Sequence, residues 1–383
     1  MTEKLYYKDA YLKEFTATVV SCIRTDNLYE TELDMTAFFP EGGGQSSDTG
    51  YIDDSFVSDV REKDGKIIHL TDRAFDYGTV VCGKINWDRR FRNMQNHSGE
   101  HIVSGLIHSS FGYNNVGFHI GSNGVTVDID HELSEEDIRM IETEANTVVV
   151  SNTPVVAEFP TDDELEKMSY RSKLELTENV RIVTIGEYDT CACCAPHVSR
   201  TGEIGLIKIL DTERYKGGTR IQMLCGFDAL EDYNTRYRNT AEISALLSAK
   251  QPEVSEAVKR LAAELNEEKR LKTEIKKELM ALKLQGLKER DGNMCVFDDK
   301  CDMNDLRAIV NEGIKKCKGI CAAFSGSDKS GYKYVIASSS ENIGKRASEI
   351  NKALDGRGGG SAMIQGSVSA SRDRIESYIT AFE

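Results

Sequence analysis

Any fold this chain adopts must bring two short, distant segments to one point. His97-Ser98-Gly99-Glu100-His101 and Cys193-Cys194-Ala195-Pro196-His197 each hold two metal-ligand types four positions apart. On a helix that spacing puts both side chains on one face, about a turn apart. Together the pairs offer two His, then a Cys and a His, a complete nitrogen and sulfur set for tetrahedral Zn²⁺. Three of the chain's seven His fall in this constellation. Either pair alone reads equally well as helix-surface His or a buried thiol; both together favour the metal. The set is rich in His, its ligands lie far apart, and it lacks CxxC knuckles. Those traits favour a catalytic or substrate-polarising ion over a purely structural one. His-x-x-Glu-His also matches the inverted zinc-peptidase pattern, in which Glu100 would be a general base. That five-residue match leaves Cys193 and His197 unexplained.

The length, 383 residues, accommodates two or three domains, and 39% hydrophobic content is that of a globular chain. No run is long and apolar enough to span a bilayer. The opening MTEKLYYKDAYLKEF carries charges and no apolar signal core. Ten Cys in such a chain point to reduced thiols and metal ligation, and to a cytoplasmic protein. The net charge of −15 argues against nucleic acid as a partner, unless basic residues gather in local patches.

The expected fold class is α+β. Residues 1–88 read as a small β-barrel or curved sheet, from the β-prone runs ATVVSCI, ETELDMT, SFVSDVR, KIIHL and TVVCGKI. Residues 89–228 read as the Cys/His-bearing core. There Phe91, Met94, Ile102 and Leu106 keep helical spacing around the first ligand pair. The segment FGYNNVGFHIGSNGVTVDID returns to β character, and Ser134 opens a helix with Glu136 and Asp137 in its first turn. Residues 229–291 read as a helical linker or coiled coil, because Val254, Val258, Leu261, Leu265, Ile275, Leu279 and Leu282 follow a 4-3 spacing. The helix expected over Lys259–Arg290 carries ten Lys/Arg against six Asp/Glu. Residues 292–383 read as a terminal α/β domain.

Two glycine runs stand out. Phe38-Phe39-Pro40-Glu41-Gly42-Gly43-Gly44-Gln45 is either a plain hairpin loop or a place where backbone approaches a ligand closely. Free N–H groups there could cradle a ribose, phosphate or carbonyl. Gly356-Arg357-Gly358-Gly359-Gly360-Ser361 is a flexible loop or helix cap, or a platform of backbone and Arg for phosphates.

Taken in order, these motifs resemble the AlaX family of free-standing alanyl-tRNA editing proteins, in the long form with a C-terminal extension. TAFFPEGGGQSSDTG, WDRRFRNMQNHSGEH, CCAPHVSRTGEIG and KGGTRIQMLCG each match a family signature, and DGRGGGSAMIQGS resembles the core of the DHH-associated domain that also closes alanyl-tRNA synthetases. Phe39 in place of Tyr and CAPH in place of CGGTH depart from the pattern. The resemblance implies hydrolysis of the ester joining Ser or Gly to the terminal adenosine of tRNA(Ala). His97, His101, Cys193 and His197 would hold Zn²⁺. Gly42, Gly43, Gly44 and Gln45 would line the aminoacyl-adenosine site, and Thr36 would bond a serine hydroxyl. Glu100 and Gln45 are the candidates to position water. Arg89, Arg90, Arg92, Lys216, Arg220, the basic helix and Arg357 with Gly358, Gly359 and Gly360 are the candidate tRNA contacts. Dimerisation through the long helix or the terminal domain is a further expectation. A non-catalytic tRNA-binding or oligomerisation factor is the alternative, with a zinc peptidase behind it.

Overall fold

Alternation along Glu14–Thr25 (β1) buries Phe15, Ala17 and Val19 on one face. The same period recurs in Gly50–Ile52 (β3), Ser55–Lys63 (β4), Lys66–Thr71 (β5) and Val80–Ile85 (β6), whereas Leu28–Leu33 (β2) buries Thr31, Glu32 and Leu33 in succession. In this computed structural model, which describes residues 1–121, 124–172 and 180–382, these strands pair antiparallel in the order β1-β2-β5-β4-β3-β6. The ring closes through Glu14 opposite Lys84. The interior holds Phe15, Leu33, Phe38, Ile52, Val57 and Ile67. Gly83 is required there: a Cβ at that position would lie 2.3 Å from the Phe15 ring.

The helix α1 (Trp87–Phe111) follows directly. Asn86 caps its start by accepting from the Arg89 amide, and Gly112, at φ 73°, ends it in the left-handed conformation. Nearly every residue from Asn93 to Ile107 is buried. The helix therefore needs glycines where neighbours press in. A Cβ on Gly99 would sit 2.3 Å from the Cys225 sulfur, and one on Gly105 2.3 Å from the Tyr188 carbonyl. α1 packs with α2 (Glu135–Ser151) against a four-stranded antiparallel sheet. That sheet is made of β7 (Asn115–Gly121), β8 (Gly124–Ile129), β12 (Ile207–Tyr215) and β13 (Gly218–Cys225) in the order β12-β13-β8-β7. The expected capping box of α2 is present on Ser134 and Asp137. Residues 122–123, inside the β segment expected over 111–130, lie outside the described residues. A smaller sheet of β9 (Val155–Glu158), β10 (Ile182–Ile185) and β11 (Asp189–Ala192) delivers Cys193 from its last strand. These elements form one compact unit, Met1–Ile243; α3 (Gly226–Leu246) leads out of it.

The second unit, Ser244–Glu383, begins with the long helix α4 (Val254–Gln285). It starts earlier than the helix expected over 259–290 and stops before Gly286. Val258, Leu261, Leu265, Ile275, Leu279 and Leu282 on its seam are exposed in the single chain. A five-stranded sheet follows, in the order β14-β15-β16-β18-β17, from β14 (Met294–Phe297), β15 (Ile320–Ser327), β16 (Gly331–Ser338), β17 (Gly356–Gly359) and β18 (Met363–Val368). The glycine run expected as a loop or cap is the edge strand β17. Gly358 fits because a Cβ there would lie 2.3 Å from the Gln365 carbonyl and 2.5 Å from the Tyr334 hydroxyl. Both units mix helix and sheet, as the α+β expectation required. No helix among the described residues is long and apolar enough to cross a membrane.

Candidate metal centre

α1 presents His97 and His101 one turn apart, and the strand end after β11 brings Cys193 and His197 to meet them. The possible ligand atoms of these four residues all lie within 4.8 Å of one another. The His97 and His197 Nε2 atoms sit 3.5 Å and 3.3 Å from the Cys193 sulfur. All four side chains are almost removed from solvent, Cys193 less so than the three imidazoles.

Each imidazole is fixed from behind through its other nitrogen. His97 Nδ1 donates to Gln45 Oε1 at 2.9 Å, and His101 Nδ1 donates to Asp189 Oδ2 at 2.8 Å. His197 Nδ1 bonds Ser98 Oγ at 3.0 Å, and that hydroxyl also accepts the Val198 amide. Nδ1 protonation leaves an Nε2 lone pair on each ring for a shared ion, and partners of this kind raise ligand basicity. Asp189 is in turn clamped by Arg171, Nε to Oδ1 at 2.7 Å and Nη2 to Oδ2 at 2.9 Å.

Charge favours the same reading. Burial opposes a thiolate on Cys193, yet His97 and His197 beside it hold the thiol well below its usual range. Burial pushes His197 down to about 3, so at pH 7 it is a neutral imidazole with a nitrogen lone pair available to a metal. For His101, burial is outweighed by the hydrogen bonds to Asp189 and Cys193, and its affinity for a proton rises. Three imidazole nitrogens and one thiolate converging with anchored rings are a donor set that fits Zn²⁺.

The centre opens on a cavity of about 550 Å³ lined by the ligands and by Tyr7, Gly43, Gly44, Phe118, Phe159 and Arg181, among others. Gly43 and Gly44 are the two central residues of a tight hairpin closed by reciprocal bonds between Gly42 and Gln45, at 3.1 and 3.0 Å. Both have positive φ, 59° and 80°, the signature of a type I′ turn. A Cβ on Gly44 would strike Phe118 at 2.5 Å. Gly42 stands behind this turn, and its N–H is committed to Gln45, so the expected cradle is narrower than three residues.

Glu100 lines the cavity, 3% exposed, and its Oε1 accepts from Ser104 Oγ at 2.5 Å and from Asn115 Nδ2. Gln45 is committed to His97, so it orients a ligand; its buried Nε2 has no partner among the described residues. Thr36 does not line the cavity. It is fully buried, with its hydroxyl bonded to His69 Nε2 at 2.8 Å and accepting the Phe38 amide at 3.1 Å, so the hydroxyl expected to bond a serine side chain is engaged inside the barrel.

The basic candidates divide. Arg90 has no exposed surface: it pairs with Asp48 and donates to the Ala10 and Ala37 carbonyls at 3.0 and 2.6 Å. It braces the start of α1 against the barrel and is withdrawn as an RNA contact. Arg92 is tied to Asp228 and Glu231, and Arg220 is clamped on Asp128 beneath the Tyr215 ring. Arg89 and Lys216 are exposed in the first unit, as are Arg357, Gly358, Gly359 and Gly360 in the second.

Sequence reading missed Asp189, Ser98 and Arg171 as supports, and Tyr7, Phe118 and Phe159 as walls. No spacing flags them. An acidic residue opening a short apolar strand was the one available hint for Asp189.

Comparison with known proteins agrees with the geometry. A family model described as the threonyl and alanyl tRNA synthetase second additional domain matches residues 180–222, the stretch holding Cys193 and His197. The chain is 29% identical to the alanyl-tRNA editing protein AlaX-L of Pyrococcus horikoshii, across 98% of this chain and 96% of that one. It is 31% identical to the alanine–tRNA ligase of Ignicoccus hospitalis and 33% identical to that of Natronomonas pharaonis, each across 94% of this chain. It spans only 40% of either ligase. The ligand motifs, the glycine turn and the near end-to-end match to AlaX-L all agree, and they make the chain similar throughout its length to the AlaX alanyl-tRNA editing proteins.

Proposed function

We propose that this protein is a trans-editing hydrolase that deacylates mischarged tRNA(Ala), releasing serine or glycine from the 3′-terminal adenosine. The observation that carries the reading is the convergence of three rear-anchored imidazoles and a thiolate on a cavity whose wall is the Gly43–Gly44 turn. In the reaction water adds to the ester carbonyl, the bond to the ribose oxygen breaks, and that oxygen leaves with a proton. Zn²⁺ held by His97, His101, Cys193 and His197 would supply Lewis acidity toward the ester or its water. Glu100 faces the same space from α1 and is the proposed acceptor for the water's proton. The turn amides of Gly43 and Gly44 are the proposed donors to the carbonyl oxygen as charge develops there. Gln45 and Asp189 hold His97 and His101 in the ligating tautomer.

The proposed division of labour runs by segment. The β-rich residues 1–88 supply the glycine turn, and 89–228 supply the ligands. The helical segment 229–291 and the DHH-associated-like segment 292–383 serve RNA engagement and assembly. Arg89, Lys216, Arg220 and Arg357 are proposed tRNA contacts, and the exposed seam of α4 is proposed to pair with a second copy.

The test is deacylation of Ser-tRNA(Ala), Gly-tRNA(Ala), Ala-tRNA(Ala) and Ser-tRNA(Thr), with and without a chelator, alongside Cys193→Ala. Release of serine or glycine that the chelator and the substitution both abolish is expected. Failure of the zinc-loaded protein to release either one while still binding tRNA would favour the non-catalytic factor.

A further inference from the structure

We propose that Phe159 and Tyr7 form the stacking platform for the terminal adenine base; this rests on the editing reading above and names residues that none of the family motifs contains. Phe159 is 51% exposed yet lines the metal cavity, so a large apolar ring is left half in water at its mouth. Its ring meets Tyr7 edge to face, centroids 5.4 Å apart at 74°. Tyr7 is held from two further sides, by Tyr6 at 4.7 Å and by the Arg181 guanidinium 5.3 Å from its centroid. Arg181 donates to the Cys193 and Ala195 carbonyls at 3.0 and 2.8 Å. The platform is therefore tied to the segment that carries the ligating thiol.

The backbone of Phe159 is restricted as well: it follows β9 and precedes Pro160, and a residue before proline favours extended backbone. With the backbone so restricted and the ring packed on Tyr7, less freedom is lost when a base stacks on it, and any base presents a face to stack. Phe118 serves the other end of the cavity, where its ring lies 4.6 Å from that of the ligand His97. Aromatic surface beside the His/Cys cluster and aromatic surface at the mouth suit a substrate with a small acyl end and a flat base.

Two esters of the same amino acid separate this role from a structural one: 3′-O-seryl adenosine and serine methyl ester. Phe159→Ala should raise KM for the adenosine ester roughly tenfold or more relative to the methyl ester, with kcat nearly retained, and Phe159→Trp should restore it. Equal losses on both esters, or no loss on either, would overturn the proposal. Adenosine binding, followed by calorimetry on the full zinc-loaded chain, gives a readout independent of hydrolysis. Binding that weakens in Phe159→Ala and in Tyr7→Leu supports the platform, and adenosine that fails to bind the wild type overturns it. Should neither ester nor Ser-tRNA(Ala) be hydrolysed while adenosine still binds through Phe159, the editing reading fails and the platform stands.

Discussion

Replacing Asp189 with Ala removes the group that orients His101 while leaving all four ligands in the chain. Metal affinity should fall roughly 10- to 100-fold, measured by competition with a chromogenic chelator. Unchanged affinity would mean that Asp189 serves only to neutralise Arg171. A second residue-scale effect belongs to His69, fully buried in the barrel between Thr36 and the Thr31 carbonyl. Burial pushes its pKa down from 6.5 to about 4, so the folded protein holds it neutral. Between those values the unfolded chain binds the proton and the folded one does not. Stability is therefore complete above pH 6.5 and is lost as the pH falls toward 4, by about 3 kcal/mol in all. Urea melts of wild type and His69→Gln across that window should diverge as the pH drops; parallel curves would rule this origin out. Arg90 shows how an isolated residue misleads. The run Asp88-Arg89-Arg90 looks like a basic patch, but the second Arg is a buried brace for Asp48. Asp48→Ala should destabilise the protein by roughly 3–5 kcal/mol by stranding that charge.

Elements read well where a period ran long and poorly where contact alone makes them. Each of the five β-prone runs of the first ninety residues holds a strand, ETELDMT being interrupted at Asp34, and α1 carries His97 and His101 as its apolar spacing required. The three-residue strand Gly50–Ile52, which joins Ser55–Lys63 to Val80–Ile85 in the barrel, is too short to leave a periodic signal. The edge strand Gly356–Gly359 is disguised by glycine, a residue that weakens strands in general and is needed here by the Tyr334 hydroxyl. In α1, glycine controls how near the helix comes to the sheet. Gly99→Ala should destabilise by about 1–3 kcal/mol through overpacking on Cys225 and should loosen the His97 geometry with it. The double variant Gly99→Ala/Cys225→Ala should recover much of the loss in thermal denaturation. Equal instability of single and double variants would place the strain elsewhere.

At the scale of the whole molecule, the acidic total of −15 and an RNA substrate are compatible only through local patches, and several candidate arginines are already neutralised by carboxylates. Binding of tRNA should accordingly lose affinity more gently with salt than the number of candidate cations implies. The apolar seam of α4 predicts self-association. Sedimentation at micromolar concentration should show a dimer that Leu265→Glu with Leu279→Glu converts to monomer, and a wild-type monomer throughout would remove the seam from the assembly. Sequence by itself determined the α+β class and the ligand pairs with their helical spacing, because periodicity and ligand chemistry are local properties of a chain. Tertiary structure alone decided that Asp189, Ser98 and Gln45 stand behind the imidazoles, that Thr36 and Arg90 are fully buried, and that Tyr7 and Phe159 wall the cavity. Those assignments depend on which distant side chains meet across packed elements, and no spacing along the chain encodes a contact made through space.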